Sequence, residues 1–237
     1  MRSKAIILLA FLFIFGFVPE MSSQGIYIYK KDGSRINVPY ENFDSIVPYE
    51  VDSTTVNYAT VDLGLPSGTI WASHNIGATK PEEYGSYFAW GEIKTKDEYT
   101  RETYIHYDTS GNKFISIGDV ISGSGYDAAY MTWGDGWRMP TKADFEELRD
   151  CCFWTWTTLN GVNGYKVESY NGNSIFLPAA GGFYETPNSV GECCYYWSGT
   201  IKEGSALYAN YLIAKSYSYK VEYANRFNGY PIRPVKK

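Results

Sequence analysis

The amino-terminal hydrophobic pattern of the chain is that of an export signal. Residues 5–18 form an almost unbroken apolar run that follows a basic start at Arg2 and Lys4. Fourteen residues are too few for a helix to cross a bilayer core about 30 Å thick, whereas this arrangement is typical of a secretory signal peptide. We therefore expect residues 1–24 to be cleaved, leaving no membrane span in an extracytoplasmic protein that is secreted, periplasmic or on the outer cell surface. An uncleaved anchor is the alternative, and because no cysteine follows the run we do not expect a lipoprotein.

Alternating apolar and polar positions in residues 25–50 predict a β-hairpin at the start of the mature chain. The alternating apolar residues are Ile26, Ile28, Ile36 and Val38. The turn between them is expected at Asp32-Gly33, a dipeptide that favours hairpin turns. The polar residues 51–57 are interpreted as a linker, so residues 58–237 are expected to form the main domain.

One main helix is predicted in this domain, over residues 141–151. Thr141 can cap its amino terminus, and Asp144 follows three residues later, as in a capping box. Phe145 and Leu148 are spaced to share one face of the helix. We expect this face to point into the core.

Short β-strands are predicted on both sides of Asn-Gly turns in the rest of the domain. The predicted strands are residues 153–159, 165–170, 174–179, 195–200, 206–213, 217–222 and 232–235. Residues 93–126 are polar and rich in Tyr, Ser and Gly, which favours a long surface excursion without regular structure. One main helix with several short antiparallel strands indicates an α+β fold.

Composition and charge exclude some partners. The chain has 21 Lys and Arg against 26 Asp and Glu, a formal net charge of -5. This balance argues against nucleic acid, because phosphate binding needs a cationic surface. Aromatic residues make up 18% of the chain beside 23 glycines, a composition that favours short strands and tight turns.

The four cysteines lie in two adjacent pairs, Cys151-Cys152 and Cys193-Cys194. In an oxidising compartment an even number of cysteines favours disulfides, and neighbouring residues are too close for an unstrained bridge within either pair. We expect one bridge between the pairs, with Cys152 to Cys194 as the first choice. Zinc binding is the alternative, although these doublets lack the C-x-x-C spacing of zinc sites.

Six ordered motifs within residues 58–237 carry a resemblance to a known family. They are Val61 to Ala72 (VDLGLPSGTIWA), Phe88 to Glu92 (FAWGE), Trp137 to Phe145 (WRMPTKADF), Ile175 to Gly181 (IFLPAAG), Tyr196 to Ser198 (YWS) and Ile232 to Val235 (IRPV). In this order they resemble the Fibrobacter succinogenes major paralogous domain. Arg138 to Leu148 also resembles a segment of formylglycine-generating (sulfatase-modifying) enzymes, which implies a C-type-lectin-like fold. The hairpin at 25–49 is similar to a leader segment of secreted Bacteroidetes proteins.

The family implies no established activity, and we expect a protein that binds a ligand without catalysis. Formylglycine-generating enzymes bind copper through two cysteines a few residues apart near the C-terminus, a pattern that the adjacent Cys193 and Cys194 do not match. His74 and His106 are expected to be structural or surface residues. The neighbouring acids fit solvated surfaces better than the spaced pair of a glycosidase. These acids are Glu82-Glu83, Asp97-Glu98 and Glu146-Glu147.

Calcium is the cofactor that a lectin-like fold would suggest, and the nearest loop acids are Asp127 and Asp135. No dense cluster of oxygen ligands surrounds them in the sequence, so no cofactor is expected, and Asp127 is expected to fix its own loop by hydrogen bonds. The motif tryptophans could be sugar-stacking platforms, but their apolar neighbours favour core positions. These tryptophans are Trp71, Trp90, Trp137 and Trp197. Arg233 is expected to be a structural arginine.

The candidate binding surface is a tyrosine-rich patch near the C-terminus. Its residues are Tyr217, Tyr219, Tyr223, Asn225, Arg226, Asn228 and Tyr230. Tyr supplies rigid contact area and Asn supplies hydrogen bonds on recognition surfaces, so a glycan or another surface protein is the expected ligand, with residues 93–126 at the edge of the patch. The alternation of these tyrosines also fits a half-buried strand.

A structural or adhesin subunit of a cell-surface assembly is the alternative function. It predicts a large exposed apolar patch or a long open strand edge, which the sequence places in the 25–38 hairpin.

Overall fold

The chain divides into two units, Met1–Thr55 and Val56–Lys237. The computed structural model describes residues 25–29, 35–39, 59–134 and 136–237. In the first unit, β1 (Gly25–Tyr29) pairs antiparallel with β2 (Arg35–Pro39), with Ile28 opposite Ile36. This is the pairing that the alternating pattern predicts. The predicted signal peptide, the predicted turn at Asp32-Gly33, the predicted linker at 51–57 and Asp135 lie outside the described residues.

The described part of the second unit consists mostly of short strands. The strands are β3 (Thr60–Asp62), β4 (Ile70–Ala72), β5 (Tyr107–Asp108), β6 (Lys113–Phe114), β7 (Cys152–Leu159), β8 (Val162–Ser169), β9 (Ser174–Pro178), β10 (Gly182–Tyr184), β11 (Thr186–Asn188), β12 (Cys193–Ile201), β13 (Tyr208–Lys215), β14 (Ser218–Asn225) and β15 (Val235–Lys236), and the helices are α1 (Ala128–Trp133) and α2 (Lys142–Cys151). This content fits the predicted α+β class. At six and ten residues, these two helices are too short to cross a membrane.

Three antiparallel sheets of three strands contain most of the strand residues in the described part of the second unit. Their strand orders are β3-β4-β15, β7-β8-β9 and β12-β13-β14, and two hairpins, β5-β6 and β10-β11, stand beside them. The first sheet joins both ends of the unit, because Trp71 on its central strand lies opposite Val61 and Val235. The other two are meanders. Asn160 and Gly161 connect β7 to β8 with φ angles of 47° and 86°, the left-handed backbone that an Asn-Gly turn adopts readily.

Helix α2 begins where the sequence predicts, because its capping box forms. The Thr141 hydroxyl accepts a hydrogen bond from the Asp144 N–H, and the Asp144 carboxylate accepts one from the Thr141 N–H. Arg138 Nη1 and Nη2 donate to the two Asp144 oxygens at 2.7 and 3.1 Å. Burial opposes ionisation of Asp144, but these hydrogen bonds outweigh burial and lower the pKa of its carboxyl group. Phe145 and Leu148 point into the core, as predicted.

The motif tryptophans lie in the core, which confirms the core interpretation. Three are fully buried and the fourth is 3% exposed, namely Trp71, Trp90, Trp197 and Trp137. Arg233 is equally buried, and its guanidinium donates to the Asn75 side-chain oxygen and the Phe176 carbonyl, both at 2.8 Å. Burial lowers the pKa of Arg233 to about 10. Arg233 is therefore structural, as expected.

Residues 93–126 form more structure than the polar composition predicts. The segment contains the β5-β6 hairpin, and Tyr99, Tyr104 and Ile121 within it are buried. The Tyr104 hydroxyl donates to the Trp90 carbonyl at 2.6 Å. Most of the segment has no regular structure, as expected, but it is not confined to the surface, because Tyr99 and Tyr104 pack in a small core with Phe227.

Helix α1 was not predicted, because six residues are too few to show a helical period. The buried Asp127 carboxylate caps it by accepting hydrogen bonds from the Ala129 and Tyr130 N–H groups. It also accepts from the N–H groups of Gly123 and Met139. Asp127 therefore fixes its own loop, as expected, and its oxygens are engaged by main-chain donors instead of being presented to calcium.

The four cysteines are free thiols in the structure, so the predicted Cys152–Cys194 bridge is absent. Cys194 is buried with its sulfur 3.3 Å from the Leu177 carbonyl oxygen, and Cys152 packs half-buried against the same core cluster. Burial raises the pKa of Cys152 to about 11. The thiols fill core space as small apolar groups do, which the even cysteine count does not reveal.

Candidate ligand-binding cleft

Strand β14 separates the residues of the predicted tyrosine patch. Tyr219 is the second residue of β14 and Tyr217 lies just before the strand, whereas Asn225 is its last residue. Extended chain rises about 3.3 Å per residue, so Tyr219 and Asn225 are about 20 Å apart. The structure therefore does not bring the patch together as one surface.

The tyrosines at the first end of β14 have different surroundings. Tyr217 lies in the turn between β13 and β14 and is 80% exposed. The ring of Tyr219 stacks on Trp154 of the neighbouring sheet, with centroids 4.6 Å apart and planes 11° from parallel. Tyr223 is 47% exposed, and the Lys202 ammonium lies 3.6 Å from its ring centroid. Tyr219 thus joins two sheets, while Tyr217 is free at the surface.

Arg226 and Tyr230 are buried, so neither belongs to an exposed binding face. Arg226 is 0% exposed and Tyr230 is 6% exposed. The Tyr230 ring packs 4.6 Å from the Trp197 ring, and its hydroxyl accepts a hydrogen bond from Asn228 Nδ2 at 3.0 Å. The correction has a simple reason: residues 226–230 leave the strand as a turn, where spacing in sequence no longer tells which side chains point outward.

Among the predicted residues, Asn225 lines a cleft that we call the aromatic cleft. The cleft has a volume of about 490 Å³, within the range of about 300–1,000 Å³ common for small-molecule sites. Its lining residues are Thr100, Arg101, Glu102, Phe114, Tyr184, Glu185, Leu207, Asn225 and Phe227. They come from five separate stretches of the chain, which only the fold brings together.

Three aromatic rings form the apolar side of the aromatic cleft. Phe227 lies nearly parallel to Phe114, with centroids 6.4 Å apart and planes 18° apart. The centroid of the Tyr184 ring lies 6.0 Å from that of Phe227, and Tyr184 is 49% exposed. Because Phe227 is itself anchored in the small core with Tyr99 and Tyr104, the cleft has a rigid aromatic floor.

Polar side chains form the rim of the aromatic cleft. Arg101 Nε lies 3.3 Å from Glu102 Oε1, and both side chains are largely exposed. An exposed ion pair of this kind holds its partners weakly, so both groups can turn toward a ligand. The loop below them is firmer, because the Thr103 hydroxyl donates to the Glu98 carbonyl and accepts from the Thr100 N–H.

Glu185 occupies a strained position on the same rim. It has a φ of 60° in the one-residue turn between Tyr184 and Thr186. A non-glycine residue rarely adopts this left-handed conformation, and functional sites are a common place for it. Tyr184 and Glu185, at the tip of the β10-β11 hairpin, both line the cleft.

Arg226 supports the cleft from beneath. Its Nη1 donates to the carbonyl oxygens of Ile115 and Ala206 at 3.1 and 2.8 Å. These residues adjoin Phe114 and Leu207 in the chain, and both of those line the cleft. The guanidinium carbon lies 4.8 Å from the Trp90 ring centroid, a favourable cation–π geometry. Arg226 is thus a positioning residue for the cleft rather than a direct contact.

The histidines and adjacent acids make local contacts. His106 Nε2 lies 3.0 Å from the Gly91 carbonyl and His74 Nδ1 lies 2.8 Å from the Ser73 hydroxyl, and burial lowers the pKa of both imidazoles. Glu147 accepts two hydrogen bonds from Ser67. Within residues 59–134 and 136–237, no group of three or more His, Cys, Asp or Glu side chains is placed to hold a metal ion.

Sequence reasoning missed most of the aromatic cleft. Its rings are separated by more than a hundred positions between Phe114 and Phe227, and the only local signal is an aromatic residue beside acids, as in Tyr184-Glu185. The segment 93–126 was expected beside the binding face, and it does supply Phe114 and the Arg101 loop. In comparisons with protein-family models, characterised proteins and solved structures, nothing matches this chain.

Proposed function

We propose that this protein is an extracytoplasmic binding module that holds a glycan in the aromatic cleft. The observation that carries the proposal is the floor of Phe114, Tyr184 and Phe227 beneath a rim of Arg, Glu and Asn side chains. The C–H face of a sugar ring stacks on an aromatic face, because weakly positive hydrogens meet the negative ring surface. The sugar hydroxyls then bond to planar polar groups, which fix orientation and specificity.

The charge of the rim favours a neutral ligand over an anionic one. One cation, Arg101, stands beside two acids, Glu102 and Glu185, and the whole chain carries a formal charge of -5. A phosphate or a nucleotide would meet net negative charge on approach. A hydroxyl-rich neutral sugar avoids this repulsion and uses donors and acceptors together.

The proposed fold and location rest on the sequence. The family-like motifs support a C-type-lectin-like domain of the Fibrobacter succinogenes major paralogous type, and the buried motif tryptophans are compatible with that proposal. The basic, apolar leader at residues 1–24 supports export. We propose binding without catalysis and without a cofactor, in keeping with cleft acids that lie on an exposed rim instead of in an enclosed pocket.

The test is a glycan array probed with the purified chain, with and without calcium. We expect defined hits that Tyr184→Ala and Arg101→Ala abolish, because both side chains are exposed and line the cleft. Tyr217→Ala is the matched control, since that tyrosine is 80% exposed outside the cleft. A blank array, or hits indifferent to both cleft variants, would refute the proposal.

A structural subunit of a cell-surface assembly is a second candidate. It is favoured by the outer edge of β7, which has no main-chain hydrogen bond to another segment in the described part of the chain and does not line the cleft. The two functions are compatible, because a surface assembly can present a binding site on each subunit.

A further inference from the structure

Two of the edge strands in the two meander sheets are covered or capped by other parts of the chain. The outer N–H groups of β12 donate to carbonyls of other segments, with Trp197 bonded to Pro231, Gly199 to Pro140 and Ile201 to Asp119. Two carbonyls of β9 accept hydrogen bonds from side chains, Phe176 from Arg233 and Pro178 from Tyr196. These contacts leave little of either edge for another strand.

The third edge strand, β14, carries charge. Lys220 and Glu222 form an ion pair on it, with Lys220 Nζ 2.6 Å from Glu222 Oε1. Charged side chains on an edge strand discourage pairing with other chains. The fourth edge strand is β7.

At alternate residues of β7, the main-chain N–H and C=O groups point away from β8 and toward the outer edge of the sheet. The Ala179 N–H donates to the Asn163 carbonyl. The main-chain N–H and C=O groups of Asn163 in β8 therefore point toward β9. Two residues opposite each other in antiparallel strands either exchange main-chain hydrogen bonds or both direct their N–H and C=O groups away from each other. Thr158 lies opposite Asn163 and therefore points to the outer edge, as do Trp156 and Trp154 at intervals of two. In the described part of the chain, none of these three has a main-chain hydrogen bond beyond its own sheet.

The side chains of β7 do nothing to protect this edge. The strand reads Cys-Phe-Trp-Thr-Trp-Thr-Thr-Leu, eight residues without a charge, a glycine or a proline. Aromatic and β-branched residues are those that strands favour. Phe153 is 54% exposed and its ring lies 4.8 Å from that of Tyr170, which is 82% exposed. A long, uncharged, unpaired edge beside exposed aromatic rings is a site for strand addition.

We propose that the outer edge of β7 pairs with β7 of a second copy of this chain, antiparallel about a twofold axis. Trp154 then exchanges main-chain hydrogen bonds with Trp156 of the second copy. By symmetry, Trp156 does the same with Trp154 of the second copy. This register places Thr155 opposite Thr155 of the second copy. The two meanders β7-β8-β9 become one six-stranded sheet.

The chemistry of the edge favours a second copy over a different partner. An added strand sets its side chains beside Trp154 and Trp156, where a charge would lose hydration without gaining a counter-charge. β7 itself supplies uncharged, strand-favouring residues, and a twofold axis matches its pattern to itself. The nearest charges on β8, Lys166 and Glu168, pair with each other, so the contact brings no like charges together.

The test measures association of the purified chain by sedimentation velocity over a range of concentrations. We expect a reversible dimer for the natural sequence and monomers for Thr155→Lys and for Thr155→Glu, because each variant sets two like charges opposite one another. An equimolar mixture of the two variants is expected to form a heterodimer. Ser218→Lys, an exposed change on the other free edge strand, is the matched control and keeps the dimer.

Three results would overturn the proposal. A natural chain that stays monomeric at every concentration excludes the dimer and leaves the edge to another extended segment. A Thr155→Lys chain that dimerises as well as the natural one places the interface elsewhere. If circular dichroism shows that both variants are folded and their mixture still stays monomeric, the register with Thr155 opposite Thr155 of the second copy is excluded. Glycan binding by Thr155→Lys is expected to be unchanged, so this test is separate from that of the cleft.

Discussion

Arg226 Nη1 lies 2.8 Å from the carbonyl oxygen of Ala206 and, by donating to it, ties the end of β14 to the wall of the aromatic cleft. The same nitrogen reaches the Ile115 carbonyl on the opposite wall. One buried cation therefore links two segments whose neighbouring residues, Phe114 and Leu207, line the cleft. The width of the cleft depends on a residue that does not line it.

We predict that Arg226→Lys destabilises the protein by at least about 2 kcal/mol, because an ammonium cannot reach both carbonyls and keep the stacking on Trp90. Urea unfolding followed by fluorescence measures this change. The exposed Arg101→Lys is the matched control, and its free energy of unfolding is expected to stay within about 0.5 kcal/mol of the natural value. Equal effects of the two changes would contradict the supporting role of Arg226.

Replacing Glu185 by glycine separates stability from binding. Glycine adopts a φ of 60° without strain, so Glu185→Gly is expected to raise stability by up to about 1 kcal/mol. It also removes a rim carboxylate, so glycan affinity is expected to fall. Glu185→Gln keeps the strain and an acceptor oxygen and should leave stability unchanged. A glycine variant that loses stability would show that the backbone strain is unimportant.

Acidification is expected to weaken the Arg138–Asp144 contact. The pKa of Asp144 is lowered in the folded state from its ordinary value of 3.8, because hydrogen bonds outweigh burial. A depressed folded pKa gives stability that is complete above about pH 3.8 and is lost as the pH falls through the folded pKa. Unfolding free energies measured from about pH 6 to about pH 2.5 should show this loss.

Asp144→Asn removes the titrating carboxyl group, so its free energy of unfolding is expected to depend on pH differently from that of the natural chain. The variant is expected to be less stable near neutral pH, since charge-assisted hydrogen bonds are lost, and to decline less below about pH 3.8. Asp97→Asn, on an exposed side chain, is the control. If the free energies of unfolding of the natural chain and of Asp144→Asn fall in parallel as the pH is lowered, protonation of Asp144 does not cause the loss of stability.

Thiol counting tests the cysteines directly. In denaturant without reductant, the chain is expected to react with a thiol reagent at four positions, since all four cysteines are free. The folded chain should react slowly, because Cys194 is buried and the pKa of Cys152 is raised to about 11. Two reactive thiols in protein from an oxidising compartment would instead support the bridge that the sequence predicts.

Local patterns in the sequence were sufficient for helix α2 and for the strands of the two meanders. Thr141 and Asp144 lie three residues apart and form the cap of α2 through their own side chains and main chain, so the helix start could be read directly. The Asn160-Gly161 turn sets the β7-β8 pairing in the same way. These contacts join neighbours in the chain, and their energetics depend little on the rest of the fold.

The sequence by itself determined the capped helix, the antiparallel meanders and the burial of the motif tryptophans. Only the tertiary structure decided that Phe114 meets Phe227, that Arg226 turns inward and that the outer edge of β7 has no main-chain partner among the described residues. These outcomes depend on contacts between distant segments, and a loop of many residues can close in many ways at similar entropic cost. The spacing of side chains along the chain therefore cannot choose among them, whereas packing of the whole domain does.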